Sequence, residues 1–213
     1  MLCGPGQHSA SSRTVDQMPP GDRDRRYQGR IVRVPDSPSS DLEIRPVRPD
    51  EHEAAGALVE AAYLAGGLLD NDRGYGAHVR DVAGRAPDQP VLVAVRDGRL
   101  VGSVTLTPHG TPHSELAAED ELEFRYLGVA PQAWGGGVAE AMVAACEDYA
   151  VSTGVVRMII CVIADNTRAH RLYERLGFVR APERDWTPVP GVDLWAFTRP
   201  VPHSLPRPTP VDG

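Results

Sequence analysis

The chain has 213 residues, 41% of them hydrophobic, and a formal net charge of −7 at pH 7. A chain of this length is most simply one domain with tails, and its apolar content is enough to bury a core. The acidic balance argues against a general nucleic-acid-binding protein and suits cationic small partners better. All 22 basic residues are arginine, so the protein has no lysine amine of its own to modify.

The cysteines and the hydropathy pattern narrow the cellular setting. Cys3, Cys146 and Cys161 are odd in number, and two of them stand in apolar runs, which argues against a disulfide framework. No apolar run approaches the length of a membrane span, and the N-terminus lacks the charged-then-apolar order of a signal peptide. We therefore predict a cytoplasmic protein with no membrane partner.

Composition divides the chain into three parts. Residues 1–40 are rich in Pro, Gly, Ser, Asp and Arg without an apolar period, which predicts a disordered N-terminal extension. Met18 is an alternative start of the chain. Residues 41–200 are predicted to form one α/β domain, and the proline-rich residues 201–213 a flexible C-terminal tail.

The first half of the domain contains the patterns of a strand, two helices and a hairpin. Its predicted elements are a strand over 42–47, a helix over 50–65 with Asp50 as N-cap, a shorter helix over 76–84, strands over 91–95 and 100–106, and a loop over 107–120. Asp97-Gly98 separates the last two strands and is typical of a tight hairpin turn.

The second half alternates strands and helices. Its predicted elements are a strand over 122–129, a helix from Val138 to Gly154, a strand over 155–164, a helix capped by Asp165 or Asn166 that stops at Gly177, and a strand over 192–198. The run over 155–164 is almost continuously apolar, which is expected of a strand buried on both faces.

Three consecutive glycines, Gly135–Gly137, stand between the strand ending at Val129 and the helix that begins at Val138. Glycine lets the backbone approach a ligand closely, and a helix start leaves unpaired N–H groups at the positive end of the helix dipole. The pattern predicts a site for a phosphate-bearing molecule, with a ligand-free turn as the alternative. A dinucleotide fingerprint needs a glycine where Glu140 stands, and a Walker P-loop needs a lysine, so neither fits.

A second motif supports the phosphate-bearing ligand. The segment Asn166-Thr-Arg-Ala-His-Arg-Leu-Tyr-Glu-Arg-Leu-Gly-Phe178 resembles the Asn-x-x-Ala-x-x-Leu-Tyr-x-x-x-Gly-Phe signature of the GNAT superfamily of N-acetyltransferases. The glycine loop resembles the acyl-CoA pyrophosphate loop of that family, Gln/Arg-x-x-Gly-x-Gly/Ala, with Gly137 and Ala139 at its last two positions. Trp134 stands where Gln or Arg is usual, which removes one polar side chain near the phosphates. The resemblance covers about residues 42–199.

The resemblance implies the GNAT fold, an α/β fold whose mixed, mostly antiparallel sheet is splayed in the middle and flanked by helices. Acetyl-CoA, the implied acyl donor, would lie in the V between the strands at 122–129 and 155–164. Its pantetheine arm would pair with the backbone of Leu127 and Val129, and its pyrophosphate would meet the loop N–H groups. The implied binding residues are Leu127, Gly128, Val129, Trp134, Gly135, Gly136, Gly137, Val138, Ala139, Asn166, Ala169 and Tyr173.

The resemblance also implies a reaction, the transfer of an acetyl group to a primary amine by direct attack in a ternary complex. Tyr173 matches the family tyrosine assigned as general acid toward the CoA thiolate, although it also lies on the apolar stripe of its helix. Asn166 matches the family asparagine near the thiol end of pantetheine, and it is also a plain N-cap.

Glu123 is the predicted general base, because several members of the family use a glutamate at this place on the strand. A surface carboxylate is the alternative. Strand alternation places Glu123, Arg125 and Leu127 on one face and Leu122, Phe124 and Tyr126 on the other. Histidines are further candidates for the base: His109 and His113 are the reserve candidates, and His170 is predicted to lie on the surface.

Carboxylates gather before the catalytic strand and in the loop after the first helix, which lines the acceptor site in this family. They are Glu115, Glu119, Asp120, Glu121 and Glu123, with Asp70 and Asp72 in the earlier loop. They could attract an ammonium-bearing acceptor, or they form a solvated acidic loop. The expected acceptor is a small-molecule or peptide amine, a homodimer is compatible with the family, and no metal is implied because ligand spacing is absent.

Two other functions stay open on the sequence. A non-catalytic acyl-CoA sensor would use the same fold without turnover, and Trp134 is the feature that points toward it. A purely structural α/β domain would not bind acetyl-CoA at all. The retained Tyr173 and Asn166 favour the enzyme.

Overall fold

The computed structural model describes residues 42–69 and 74–202. The predicted N-terminal extension, most of the predicted tail, Cys3, Asp70 and Asp72 lie outside the described residues.

The described chain forms eight strands and five α-helices. The strands are β1 (Leu42–Pro46), β2 (Val91–Arg96), β3 (Arg99–Pro108), β4 (Glu121–Val129), β5 (Arg157–Ile163), β6 (Val179–Arg180), β7 (Trp186–Val189) and β8 (Val192–Pro200). The helices are α1 (His52–Ala65), α2 (Tyr75–Arg80), α3 (Val82–Arg85), α4 (Val138–Thr153) and α5 (Thr167–Arg175). Short 3₁₀ turns cover Pro49–Glu51, Pro131–Ala133 and Pro182–Arg184.

All eight strands belong to one sheet. Its order is β1-β2-β3-β4-β5-β8-β6, with β7 also paired to β8. Every pairing is antiparallel except that between β4 and β5. The mixed, mostly antiparallel sheet confirms the predicted fold class. The sequence pattern missed β6 and β7, whose runs are too short and too exposed to show a strand period.

The two central strands separate soon after they meet. β4 and β5 pair only over Glu121–Glu123 and Arg157–Ile159. Beyond that point β4 continues beside β3, and β5 continues beside β8 as far as Ile163. The sheet therefore opens into a V, and the predicted splay is confirmed.

Helices cover both faces of the sheet, which explains the continuous apolar run of β2. Leu92 and Ala94 belong to the main core beneath α4, whereas Val91, Val93 and Val95 pack against α1 and α3. We call these the α4 face and the α1 face. A strand that is buried on both faces is apolar at nearly every position, so its sequence shows no alternation.

A β-bulge corrects the predicted facing of β4. Ser103 pairs with Gly128 and Thr105 with Arg125, so β4 carries one extra residue there. The bulge is at Tyr126, whose φ is positive at 55°. Its ring packs on the α1 face, while Leu127 turns to the α4 face. The prediction that Leu127 shares a face with Glu123 was wrong, because alternation assumes an unbroken pleat.

Helix starts differ from the sequence prediction in two places. Asp50 lies within a 3₁₀ turn and the N-cap position of α1 is Glu51, so the predicted Asp50 cap was wrong. The predicted helix over 76–84 is two helices, because Asp81 leaves the helical conformation and its carboxylate accepts the Gly84 N–H at 2.8 Å. The Asn166 cap is confirmed, since its side-chain oxygen accepts the Ala169 N–H at 3.1 Å.

Among the helices that the structure describes, none combines the length and the apolar character needed to cross a membrane.

Candidate active site

The glycine loop forms the mouth of the V on the β4 side. Gly135 and Gly137 have positive φ values of 76° and 75°, and a Cβ at either would meet open space. Glycine is required here by the backbone conformation and not by crowding. Gly137 is the N-cap of α4 and has no side chain to cap it, so the first N–H groups of this 16-residue helix point out of the loop.

Arg96 brings a positive charge to the same loop. Its Nη2 donates to the Gly136 carbonyl at 3.1 Å, and a Cβ at Gly136 would lie 3.0 Å from Nη1. Arg96 ends β2, 40 residues earlier in the chain. No local motif marks it, so sequence reasoning missed it.

The edge of β4 that faces the V is open beyond Glu123. The Ala130 N–H donates to the Val101 carbonyl of β3 at 3.0 Å, so the Val129 carbonyl in the same peptide points the opposite way, into the V. Strand alternation gives Leu127 the same orientation. Gly128 serves packing, because a Cβ there would lie 2.9 Å from the Val59 Cα of α1.

The side chain of Trp134 binds to the open edge of β4. Its indole Nε1 donates to the Val129 carbonyl at 2.7 Å. The guanidinium of Arg168, at the start of α5, lies 4.1 Å from the centroid of the Trp134 ring. Trp134 stands where a polar residue is usual in the family loop, and its indole spans from β4 to α5.

Glu123 lies at the point where β4 and β5 part, with only 2% of its surface exposed. Its Oε2 accepts the backbone N–H groups of Glu115 at 2.8 Å and Leu116 at 3.0 Å. Burial raises the pKa of Glu123, and these two N–H donors offset that shift only in part. A buried carboxyl with a raised pKa is a suitable proton acceptor, and the alternative of a surface carboxylate does not describe it.

Two of the other predicted acidic residues that the structure describes are paired with arginine. Glu115 pairs with Arg125 at 2.6 Å, and buried Glu121 pairs with Arg157 and Arg184 at 2.9 Å each. The proposed attraction of a cation by this cluster is therefore weakened, because arginine neutralises two of its members.

Tyr173 lies in the main core on the α4 face. Its ring packs between Phe124 and Phe178, with centroid distances of 6.1 and 5.5 Å. Burial raises the pKa of Tyr173 well above its ordinary range, so the phenol stays protonated.

Asn166 and Ala169 lie at the N-terminus of α5, across the V from the glycine loop. Asn166 caps this helix through the Ala169 N–H, so the structural role of the asparagine is present. Its position after β5 and beside Arg168 also places it at the V.

Residues 59–178, more than half of the chain, match the family model described as the acetyltransferase (GNAT) family. The chain belongs to the GNAT acetyltransferase family. The predicted family is confirmed.

Curated relatives of this GNAT chain include a mycothiol acetyltransferase from Renibacterium salmoninarum. It is 31% identical over 149 residues, which cover 66% of this chain and 41% of that protein. The GNAT chain thus spans less than half the length of the relative.

Solved structures show the same fold at low identity. A GNAT-family structure from Desulfovibrio desulfuricans has a TM-score of 0.60 at 20% identity and covers 76% of this chain and 99% of its own. A structure from Salmonella typhimurium, solved with acetyl-CoA, has a TM-score of 0.58 at 20% identity and covers 79% of this chain and 99% of its own.

A polar aromatic group on the α1 face of the GNAT domain was missed by sequence reasoning. The His78 Nε2 and the Tyr126 hydroxyl are 2.8 Å apart, and the His113 ring lies 5.5 Å from that of His78. Arg85 is buried beneath, 4.2 Å from the centroid of the Tyr126 ring. Burial lowers the pKa of both histidines. Only the bulge turns Tyr126 to this face, so no sequence period could reveal the group.

His170 and His109, the other two predicted histidines, both contact the rest of the protein. His170 is only 7% exposed and stacks on Trp195 with centroids 5.0 Å apart, so its predicted surface position was wrong. His109 forms a hydrogen bond to the backbone, with its Nδ1 2.6 Å from the Ala117 carbonyl oxygen. In the part of the chain that the structure describes, no group of three His, Cys, Asp or Glu side chains is placed to hold a metal.

Proposed function

We propose that this chain transfers the acetyl group of acetyl-CoA to the primary amine of a small molecule, by direct attack in a ternary complex. The observation that carries the proposal is the opening between β4 and β5, with Glu123 on its α1 face and Tyr173 on its α4 face. A base on one side and an acid on the other suit a reaction in which the acceptor and the donor meet through the sheet.

The donor would be held from the α4 side. Its phosphates would meet the N–H groups at the start of α4 and the positive charge of Arg96, because a helix N-terminus favours anions. The two amides of its pantetheine arm would pair with the open β4 edge at Leu127 and Val129, in the way a peptide adds to a sheet. Asn166 and Ala169 would line the opposite wall.

The acceptor would arrive from the α1 side as an ammonium. Glu123 would take its proton, since only the neutral amine has the lone pair that attacks the thioester carbon. The C–N bond forms, the carbonyl carbon becomes tetrahedral, and the C–S bond then breaks. Tyr173 would donate its proton to the departing thiolate, because its raised pKa keeps the phenol protonated until that step. The attacking nitrogen would release its second proton to solvent, and solvent would return a proton to the Tyr173 phenolate.

The acceptor class is inferred from charge and from the relatives. Arg125 and Arg85 balance Glu115 and Glu123 on the α1 face, so a polycationic acceptor gains little there. The relatives named mycothiol acetyltransferase support a small-molecule acceptor over a peptide. The predicted cytoplasmic location and homodimer stay predictions.

Donor binding is tested by thermal unfolding with and without acetyl-CoA. Acetyl-CoA at about 100 times its Kd should add about 2.7 kcal/mol of stability. Gly137→Glu should abolish that gain, because its carboxylate meets the phosphates. Gly191→Glu is the matched control, since Gly191 also has a positive φ and open space but lies in the β7–β8 turn. A gain that survives in Gly137→Glu would refute the predicted phosphate site.

Turnover separates the enzyme from the acyl-CoA sensor, which Trp134 on the β4 edge would favour. The enzyme should release free CoA thiol from acetyl-CoA in the presence of one member of a panel of small primary amines. Binding of acetyl-CoA without thiol release across the panel would support the sensor.

A further inference from the structure

The indole of Trp134 is bound to the part of β4 that the donor needs. Its N–H donates to the Val129 carbonyl at 2.7 Å, and that carbonyl faces the V because the neighbouring Ala130 N–H is committed to β3. An unpaired strand edge takes up a ligand through its backbone N–H and C=O groups. The Trp134 indole N–H already binds one of these acceptors, the Val129 carbonyl oxygen.

A second contact holds the indole across the opening. Arg168 stacks on the ring at 4.1 Å, and it belongs to α5, which follows β5 on the other side of the V. The indole is thus anchored to both walls, by a hydrogen bond to β4 and a cation–π contact to α5. Trp134 remains 36% exposed, so solvent reaches it and displacement needs no rearrangement of the core.

We propose that Trp134 is an internal competitor of the pantetheine arm, and that its displacement from Val129 sets the affinity of this chain for acetyl-CoA. This inference rests on the proposed function, because it assumes acetyl-CoA as the ligand of the V. An indole that occupies the edge lowers the apparent affinity by the fraction of molecules in which the edge is free. The same movement releases Arg168 beside the glycine loop.

Trp134→Phe separates the hydrogen bond from the ring. Phenylalanine keeps an aromatic face for Arg168 but has no N–H for Val129. A hydrogen bond of this kind corresponds to about a two- to tenfold change in a binding constant. Trp134→Phe should therefore bind acetyl-CoA about two- to tenfold more tightly than the wild type.

Two ligands locate the effect. Adenosine 3′,5′-bisphosphate carries phosphates without the pantetheine arm, so its Kd should be the same for the wild type and Trp134→Phe. Trp195→Phe is the matched control variant, because Trp195 is comparably exposed and also lies under an arginine, but on β8. Its Kd for acetyl-CoA should equal that of the wild type.

Isothermal titration calorimetry measures the Kd of acetyl-CoA and of adenosine 3′,5′-bisphosphate for the wild type, Trp134→Phe and Trp195→Phe. Weaker or unchanged binding of acetyl-CoA by Trp134→Phe overturns the inference, as does equal tightening for both ligands. Binding by the wild type without tightening in Trp134→Phe leaves the proposed function standing. If no protein binds acetyl-CoA, the proposed function fails and the inference falls with it.

Discussion

Glu121 and Glu123 lie two residues apart on the same face of β4 and are equally buried, yet the pKa values of their carboxyl groups are shifted in opposite directions. Burial alone would raise the pKa of Glu121, but the Ala118 N–H and the guanidinium groups of Arg157 and Arg184 together lower it. Burial raises the pKa of Glu123 despite two backbone donors. Arginine pairing therefore ties Glu121 to the fold, whereas Glu123 has the raised pKa expected of the proposed base.

Glu123→Gln should lower kcat by about 100-fold or more, because the proposed base is lost while the amide oxygen still accepts the Leu116 N–H. Glu121→Gln should instead cost about 1–3 kcal/mol of folding stability, because two arginines lose their anionic partner. Steady-state kinetics and urea unfolding of both variants test the division. Equal losses of kcat would contradict it.

The raised pKa of Glu123 also predicts how stability depends on pH. A raised carboxyl pKa means that the folded state binds the proton more tightly, so this group stabilises the fold at low pH and that contribution is lost as pH rises through the folded pKa. Glu123→Gln should therefore gain stability relative to the wild type as pH rises from about 4 to about 8. Urea unfolding across this range measures it, and the opposite slope would contradict the raised pKa.

Tyr173→Phe should reduce kcat with little change in stability. The ring keeps its packing against Phe124 and Phe178, and only the proposed proton donor is removed. Loss of a general acid corresponds to about a 100-fold effect. An amine series shows whether kcat falls for every acceptor, as expected for an acid acting on the thiolate. Undiminished turnover would leave Tyr173 as a core residue only.

Glu51 predicts a separate pH effect at the start of α1. Its hydrogen bonds from Arg45, both at 2.7 Å, are the main reason that its pKa falls to about 2 from 4.5. Its stabilisation is therefore present above the unfolded pKa and is lost as pH falls toward 2. Glu51→Gln should cost about 1–3 kcal/mol at neutral pH and converge with the wild type in acid. Glu53→Gln is the control, because Glu53 is largely exposed and should cost little.

His170→Ala should destabilise the domain by about 1–3 kcal/mol, because the ring is buried against Trp195 and its Nε2 lies 3.1 Å from the Ile163 carbonyl oxygen. Arg171→Ala, on the exposed side of the same helix, is the control and should change little. Thermal unfolding compares them. A His170→Ala variant as stable as the control would mean that the stacked ring contributes nothing.

Much of the site could be predicted where its parts are local in sequence. The glycine loop is a single turn at the start of α4, and the Asn166 to Phe178 motif is essentially one helix, α5. The spacing of residues along the chain therefore predicts their positions in space. Arg96 could not be predicted, because it reaches Gly136 from a different strand. His78 pairs with Tyr126 only after α2 folds over β4, which also lies beyond any local pattern.

The sequence by itself determined the family, the fold class and the order of the longer elements, because glycines and apolar periods act within a few residues. Tertiary structure alone decided how the faces and charges are arranged. One extra residue at Tyr126 reverses the facing of Leu127, since each strand position alternates sides. Arginines far away in sequence help to lower the pKa of Glu121, whereas burial raises the pKa of Glu123, because electrostatic free energy depends on distance and burial and not on separation along the chain.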